Sequence, residues 1–198
     1  MLLACTFNYE LLRAAQNGDT VAQMDLGLSY IKGDGIEQDK TEGRMWIREA
    51  ANRGNVIAQY HMAMIYKLGD GVDANTAVAV EWFRKAAAQG HKDSQHQLGI
   101  ILYYGMGVGK DDREMIQWNM LSAARGHVDA QYLLGECYFY GQGVIQDYRE
   151  AYFWFQIAAA KGSREAAGKR DGVEQFLDKE EIGIVRAKAR KWFKDHNF

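Results

Sequence analysis

Trp46, Trp82, Trp118 and Trp154 stand at a constant spacing of 36 residues. A chain that repeats itself at a period of roughly 20 to 50 residues folds as stacked supersecondary units rather than around one central core. The period is not confined to tryptophan. Leu26, Met62, Leu98 and Leu134 follow it, as do the glycine pairs Gly33/Gly35, Gly69/Gly71, Gly105/Gly107 and Gly141/Gly143, and the single glycines Gly54, Gly90, Gly126 and Gly162.

Within each unit the apolar residues recur at helical spacing. Ala22, Leu26, Gly27 and Tyr30 share one face of a first helix, and Trp46, Ala50 and Ala51 one face of a second. The loop Lys32-Gly33-Asp34-Gly35-Ile36 separates them, with glycines that reach positive φ without a Cβ clash. Gly54 closes the second helix, and Asn55 is suited to cap the next, since its side chain accepts from the unpaired N–H groups of a first turn. This phasing gives one solenoid domain over 1-198, with four full repeats at 19-54, 55-90, 91-126 and 127-162.

Partial units flank the four. Ala14, Ala15 and Gly18 precede Ala50, Ala51 and Gly54 by one period, so residues 1-18 hold the second helix of an incomplete repeat, from Tyr9 onward. Residues 163-198 hold a partial repeat and a closing helix. Ala166 continues the column of Ala22, Ala58, Ser94 and Ala130, but the next tryptophan position is Arg190. Trp192 belongs instead to a helix opened by Asp178-Lys179-Glu180-Glu181, a capping-box pattern. Its stripe of Ile182, Val185, Ala189, Trp192 and Phe193 suits a cover for the last repeat, whose outer face has no neighbour.

The pattern resembles the Sel1-like repeat family. The resemblance rests on Ala130, Leu134, Gly135, Tyr138, Gly141, Gly143, Val144, Asp147, Ala151, Trp154, Ala158, Ala159 and Gly162, with their counterparts in the earlier units. It implies an all-α fold, a right-handed α/α superhelical solenoid of helix-turn-helix repeats related to tetratricopeptide arrays. Departures are local: Ala63 stands in the glycine column, Leu102 in the tyrosine column, Asn75 in the aspartate column, and Gly43 and Met115 in an alanine column.

The resemblance also implies a function class. Sel1-like arrays act as adaptors or scaffolds, and similar bacterial proteins include secreted virulence factors and immunity proteins that neutralise a toxin. In related arrays the first helices line the concave wall. By that analogy the groove is formed by Tyr60, Met64 and Lys67, then His96, Ile100, Tyr103 and Tyr104, then Tyr132, Glu136, Phe139 and Tyr140. The corresponding Met24, Leu28 and Ile31 of the first repeat are an aliphatic stripe that reads as packing. The doublets Tyr103/Tyr104 and Phe139/Tyr140 point in adjacent directions on their helices and cannot all face one core. Tyrosine and methionine suit protein interfaces, and a contiguous apolar groove marks a binding site. The expectation is a non-catalytic module, a monomer, that binds a polypeptide. The alternatives are an immunity protein or inhibitor with one toxin as its partner, and a small-molecule or glycan binder.

Composition narrows the classes further. With 47% apolar residues and a formal charge of -2, the chain has the make-up of a folded domain without the basic footprint of a nucleic-acid binder. Charge is uneven: residues 161-198 carry ten Lys/Arg against seven Asp/Glu. No run approaches the ~20 apolar residues of a membrane span. Cys5 and Cys137 are far apart in an array of neighbour-only contacts, and the repeats lack the cysteine pairs of some secreted relatives, so a cytoplasmic protein is expected. Met1-Leu2-Leu3-Ala4-Cys5 loosely resembles the end of a lipoprotein signal, which leaves a periplasmic or secreted location as the alternative.

Catalytic and metal readings find no support in spacing. The glycine pairs lie between helices, not after a strand as a phosphate-binding fingerprint requires. Asp34, Glu37 and Asp39 do not follow the order of a calcium loop. His91 and His127 read as turn or cap residues, and His61 and His96 have no partner at metal-ligand spacing. No cofactor, metal or catalytic residue is expected.

Overall fold

The computed structural model describes residues 2–196, with side chains from Tyr9 onward; the side chain of Cys5, and with it the Met1–Cys5 motif, lies outside the described residues. Eleven α-helices and a 3-10 turn, with no strand, make up the described chain. They fall into two compact units, residues 1–91 and 92–198.

The first unit holds α1 (Leu2–Gln16), α2 (Thr20–Lys32), α3 (Lys40–Asn52), α4 (Val56–Leu68) and α5 (Thr76–Ala88), each packed on the next. The second holds α6 (Lys92–Tyr104), α7 (Asp112–Ala124), α8 (Val128–Tyr140), α9 (Tyr148–Ala160), α10 (Arg164–Val173), the 3-10 turn Glu174–Phe176 and α11 (Lys179–Asp195). In both, consecutive helices pack in pairs, the α/α arrangement expected from the periodicity.

Local chemistry explains the equal helix lengths. Asp39, Asn75, Asp111 and Asp147 each cap the second helix of a repeat by accepting from N–H groups of its first turn. Asn75 therefore does the work of the aspartates, because capping needs an acceptor oxygen and not a charge. The same four residues donate their own N–H to the carbonyls of Tyr30, Tyr66, Leu102 and Tyr138. Leu102 can replace tyrosine there because the bond uses backbone. Gly33, Gly69 and Gly141 end the first helices in the left-handed region, at φ of 73°, 72° and 71°.

The helix pairs of the first, second and fourth repeats meet through small residues. A Cβ on Gly27 would lie 2.8 Å from the carbonyl oxygen of Gly43 and 2.7 Å from Ile47 Cγ1; one on Gly43 would lie 2.6 Å from the oxygen of Gly27. So α2 and α3 approach backbone to backbone, and Gly43 is a requirement of that repeat. A Cβ on Gly135 would meet the Phe155 ring at 2.6 Å. In the second repeat Ala63 and Ala79, both buried, take the equivalent positions.

Repeats are joined to their predecessors by a column of buried glutamines. The side-chain amides of Gln23, Gln59 and Gln131 donate to the carbonyls of Ala15, Ala51 and Ala123 at 3.0, 3.2 and 3.0 Å. Around these bonds lie apolar clusters, with Met24, Ile47 and Met62 in unit 1 and Leu134, Tyr152 and Phe155 in unit 2. Cys137 is buried beside Met115, and burial pushes its thiol up to about 12.

The closing helix α11 carries the expected capping box of Asp178 and Glu181. It packs on α9, burying Val185 and Ala189. Arg186 holds it there, donating to the hydroxyl of buried Tyr152 at 2.9 Å and to Glu174 at 2.8 Å, while Lys188 pairs with Glu150.

The periodic tryptophans occupy different surroundings. Trp82 lies under Lys85, 4.0 Å from the ring centroid, and Trp118 donates to Glu114 at 2.9 Å. Trp46 and Trp154 bury their indole N–H without an acceptor among the described residues.

The helix contacts give a paired expectation. Gly27→Ala should destabilise by about 1–3 kcal/mol through overpacking against backbone. Gly183→Ala, where a Cβ meets open space on a helix, should stabilise by about 0.5–1 kcal/mol. Urea denaturation checks both, and equal effects would remove the close-approach argument.

Candidate partner-binding groove

The expected groove residues of unit 2 come together. α6, α8 and α10 line a depression of about 310 Å³ whose wall includes His96, Ile100, Tyr103, Tyr104, Tyr132 and Glu136. Beside it a second, of about 550 Å³, is lined by Tyr132, Phe139, Tyr140, Phe155, Lys169 and Val173. Tyr132 and Glu165 belong to both.

The doublets sit at the C-terminal ends of α6 and α8, and each splits its duties. Tyr103 and Phe139 are half-buried against the core, whereas Tyr104 and Tyr140 remain 69% and 63% exposed. Residues adjacent on a helix project about 100° apart, so one ring of each pair packs against the core and the other stays largely exposed. The rings are edge to face, 4.8 Å apart at 75° for Tyr103/Tyr104 and 4.9 Å at 86° for Phe139/Tyr140.

Two charged groups of the wall pair with each other. Glu136 accepts from the Tyr132 hydroxyl at 3.1 Å and from Lys169 Nζ at 2.9 Å. That bond to Glu136 raises Lys169 above the ordinary lysine value. Burial, followed by the Glu136 charge, raises Tyr132, and burial chiefly raises Tyr103. Both tyrosines are therefore neutral donors at physiological pH, set between π faces.

The groove residues of unit 1 have a different setting. Tyr60 is half-buried, packed near Phe83 at 6.0 Å and His91 at 4.7 Å between ring centroids. Met64 is half-buried, and burial lowers Lys67 below the ordinary lysine value. Met24 is buried, while Leu28 and Ile31 pack against its cluster.

Two features escaped the reading of the sequence. The wall of the larger depression includes Gly168, Gly172 and Gln175, which lie one period after Tyr132, Glu136 and Phe139. The signal was available: the depression exists because glycine follows tyrosine and glutamate in those columns, and a Cβ at either glycine meets open space. The second concerns His96. It is buried, and its Nδ1 lies 2.9 Å from Asn119 Oδ1. Contrary to the expectation from spacing, it has partners of metal-ligand type, since the first turn of α8 brings His127 and Asp129 to it, with candidate ligand atoms all within 4.8 Å of one another. His127 does cap α8 as expected, accepting from Ala130 N at 3.3 Å.

Burial lowers His61 below its ordinary 6.5, and the nearby charges of His91 and Lys32 lower it further. Such a histidine stays neutral in the fold while the unfolded chain protonates first. Its contribution to stability is complete above pH 6.5 and is lost as pH falls from there toward the folded value. The urea midpoint should accordingly fall more steeply between pH 6.5 and 5 in the wild type than in His61→Gln; equal slopes would exclude this origin.

The Sel1 repeat family model matches residues 20–55, 56–91, 92–127 and 128–163. A crystal structure of a Sel1 repeat protein from Oxalobacter formigenes is 31% identical, with a TM-score of 0.76 over 93% of this chain and 78% of that one. A protective antigen with an SLR fold from uropathogenic Escherichia coli is 28% identical, with a TM-score of 0.63, covering 96% of this chain and 48% of its own length. An immunity protein from Pseudomonas aeruginosa shares the fold at 19% identity and a TM-score of 0.53, over 95% and 73% of the two chains. No curated protein matches the sequence.

Proposed function

The chain belongs to the Sel1 repeat family, and from that premise we propose that it is a non-catalytic adaptor that binds a polypeptide in the groove of unit 2. Proteins of this family are generally protein-interaction modules. Among the described residues, no helix is long and apolar enough to cross a membrane.

One observation carries the reading: two adjoining depressions share Tyr132, and each is edged by an exposed tyrosine at a helix end. Tyrosine offers a large apolar surface with a hydroxyl handle and few rotatable bonds, so little entropy is lost when it is fixed at an interface. The Glu136–Lys169 pair is already satisfied within the wall, so a partner meets apolar rings and tyrosine hydroxyls there, with Arg164, Glu165 and Asp129 as the further charged groups of the lining. An extended or helical segment with two apolar anchors fits this surface.

The test is affinity capture from the native host followed by measurement of Kd. Replacing an exposed hot-spot tyrosine costs ~2 kcal/mol, about 30-fold in Kd. Tyr104→Ala and Tyr140→Ala should each weaken the captured partner by about that factor, and Gly168→Phe, which fills the larger depression, should also release it. A partner held equally by all three variants would place binding elsewhere. One tight partner would identify an inhibitor of a single target, and several moderate ones an adaptor.

A further inference from the structure

We propose that His96, His127 and Asp129 form a site for one divalent transition-metal ion on the wall of unit 2. Their candidate ligand atoms lie within 4.8 Å of one another, and the two imidazole rings are 4.4 Å apart between centroids. Two imidazoles with a carboxylate are a donor set suited to zinc, with room for a further ligand.

The internal repeats distinguish this arrangement from ordinary packing. One period before His96 and His127 stand Tyr60 and His91, whose rings are 4.7 Å apart, so ring contact at this place does not need two histidines. The residue beneath is also unusual. Asn119 is fully buried in a column where the other repeats carry Ile47, Phe83 and Phe155. The third repeat thus departs twice toward polarity at neighbouring points.

Those departures fix the form of His96. Asn119 donates through Nδ2 to the carbonyl of Met115 at 3.0 Å, which turns its Oδ1 toward His96 Nδ1. The imidazole nitrogen must then be the donor, and Nε2 carries the lone pair that a metal takes. An oriented ring of this kind, with its second nitrogen donating to a buried oxygen, is the usual support of a metal-bound histidine.

His127 has a comparable support. Asp93 Oδ1 lies 3.4 Å from its Nε2. Coordination displaces the contact of Nδ1 with Ala130 N–H, which is long at 3.3 Å. Asp129 is exposed, so its side chain can turn inward. A tetrahedron drawn at zinc–ligand distances of about 2.1 Å has edges of about 3.4 Å, so the three donors must close by roughly an ångström. This inference is independent of the groove reading, and either can fail alone.

Zinc chloride titrated into the tag-free, chelator-treated full chain, followed by calorimetry, tests it. One equivalent should bind. His127→Ser keeps the helix cap, as Ser163 does for α10, and removes a ligand; Asp129→Asn removes another at an exposed position. Each should weaken zinc by at least ~10-fold, the loss that even a supporting residue causes, with circular dichroism unchanged. No saturable binding, or an affinity unchanged in either variant, would overturn the proposal.

Discussion

The stacking of one repeat on another depends on an amide held out of water. Gln23, Gln59 and Gln131 each reach the last turn of the preceding helix and meet a carbonyl that also receives the N–H of Gly18, Gly54 or Gly126. A buried hydrogen bond is lost if the helices shift by an ångström or two. The glutamine therefore sets the register in which alanines and leucines then pack. The three contacts have similar lengths, so within each unit a repeat meets the helix before it in the same way.

Once that register is set, the division of labour along a helix follows. One face must lie close to its partner, and glycine or alanine serves there because backbone approaches backbone, as at Gly27 and Gly43. The face turned away from both partners is left free to vary. In unit 2 it carries Tyr132 and Glu136 and then, one period on, Gly168 and Gly172. The larger depression is made by a change of residue size within a constant scaffold, so its surface can be altered without disturbing the core.

Much of this was legible in the sequence, for a physical reason. Helix ends are local events: Asn55, Gly33 and the Asp178–Glu181 box act on backbone groups within a turn of themselves. Periodicity then copied each local inference four times. What was hidden depended on side chains from different helices or on burial that composition does not reveal. A glutamine on a helix ordinarily faces water, so the column at Gln23 gave no sign of lying inside. The meeting of His96, Asn119 and His127 breaks the repeat and joins three helices or turns, and no spacing along the chain encodes it. The exposure of Tyr104 and Tyr140 was foreseeable from adjacency on a helix, whereas Lys169 and its bond to Glu136 belong to the partial repeat, where the period had begun to fail.

The tryptophans that reveal the repeat also make it observable. A cation lies over Trp82, a carboxylate holds the indole of Trp118, and Trp154 is buried with Trp192 at its edge. Indole emission responds to neighbouring charge and to water, so the same residue type reports differently from each place. Single-tryptophan versions of the chain would carry an optical label in one chosen repeat. With neighbour-only coupling between repeats, such labels would resolve in time which end of the array opens first, and would turn a sequence period into a coordinate for following its unfolding.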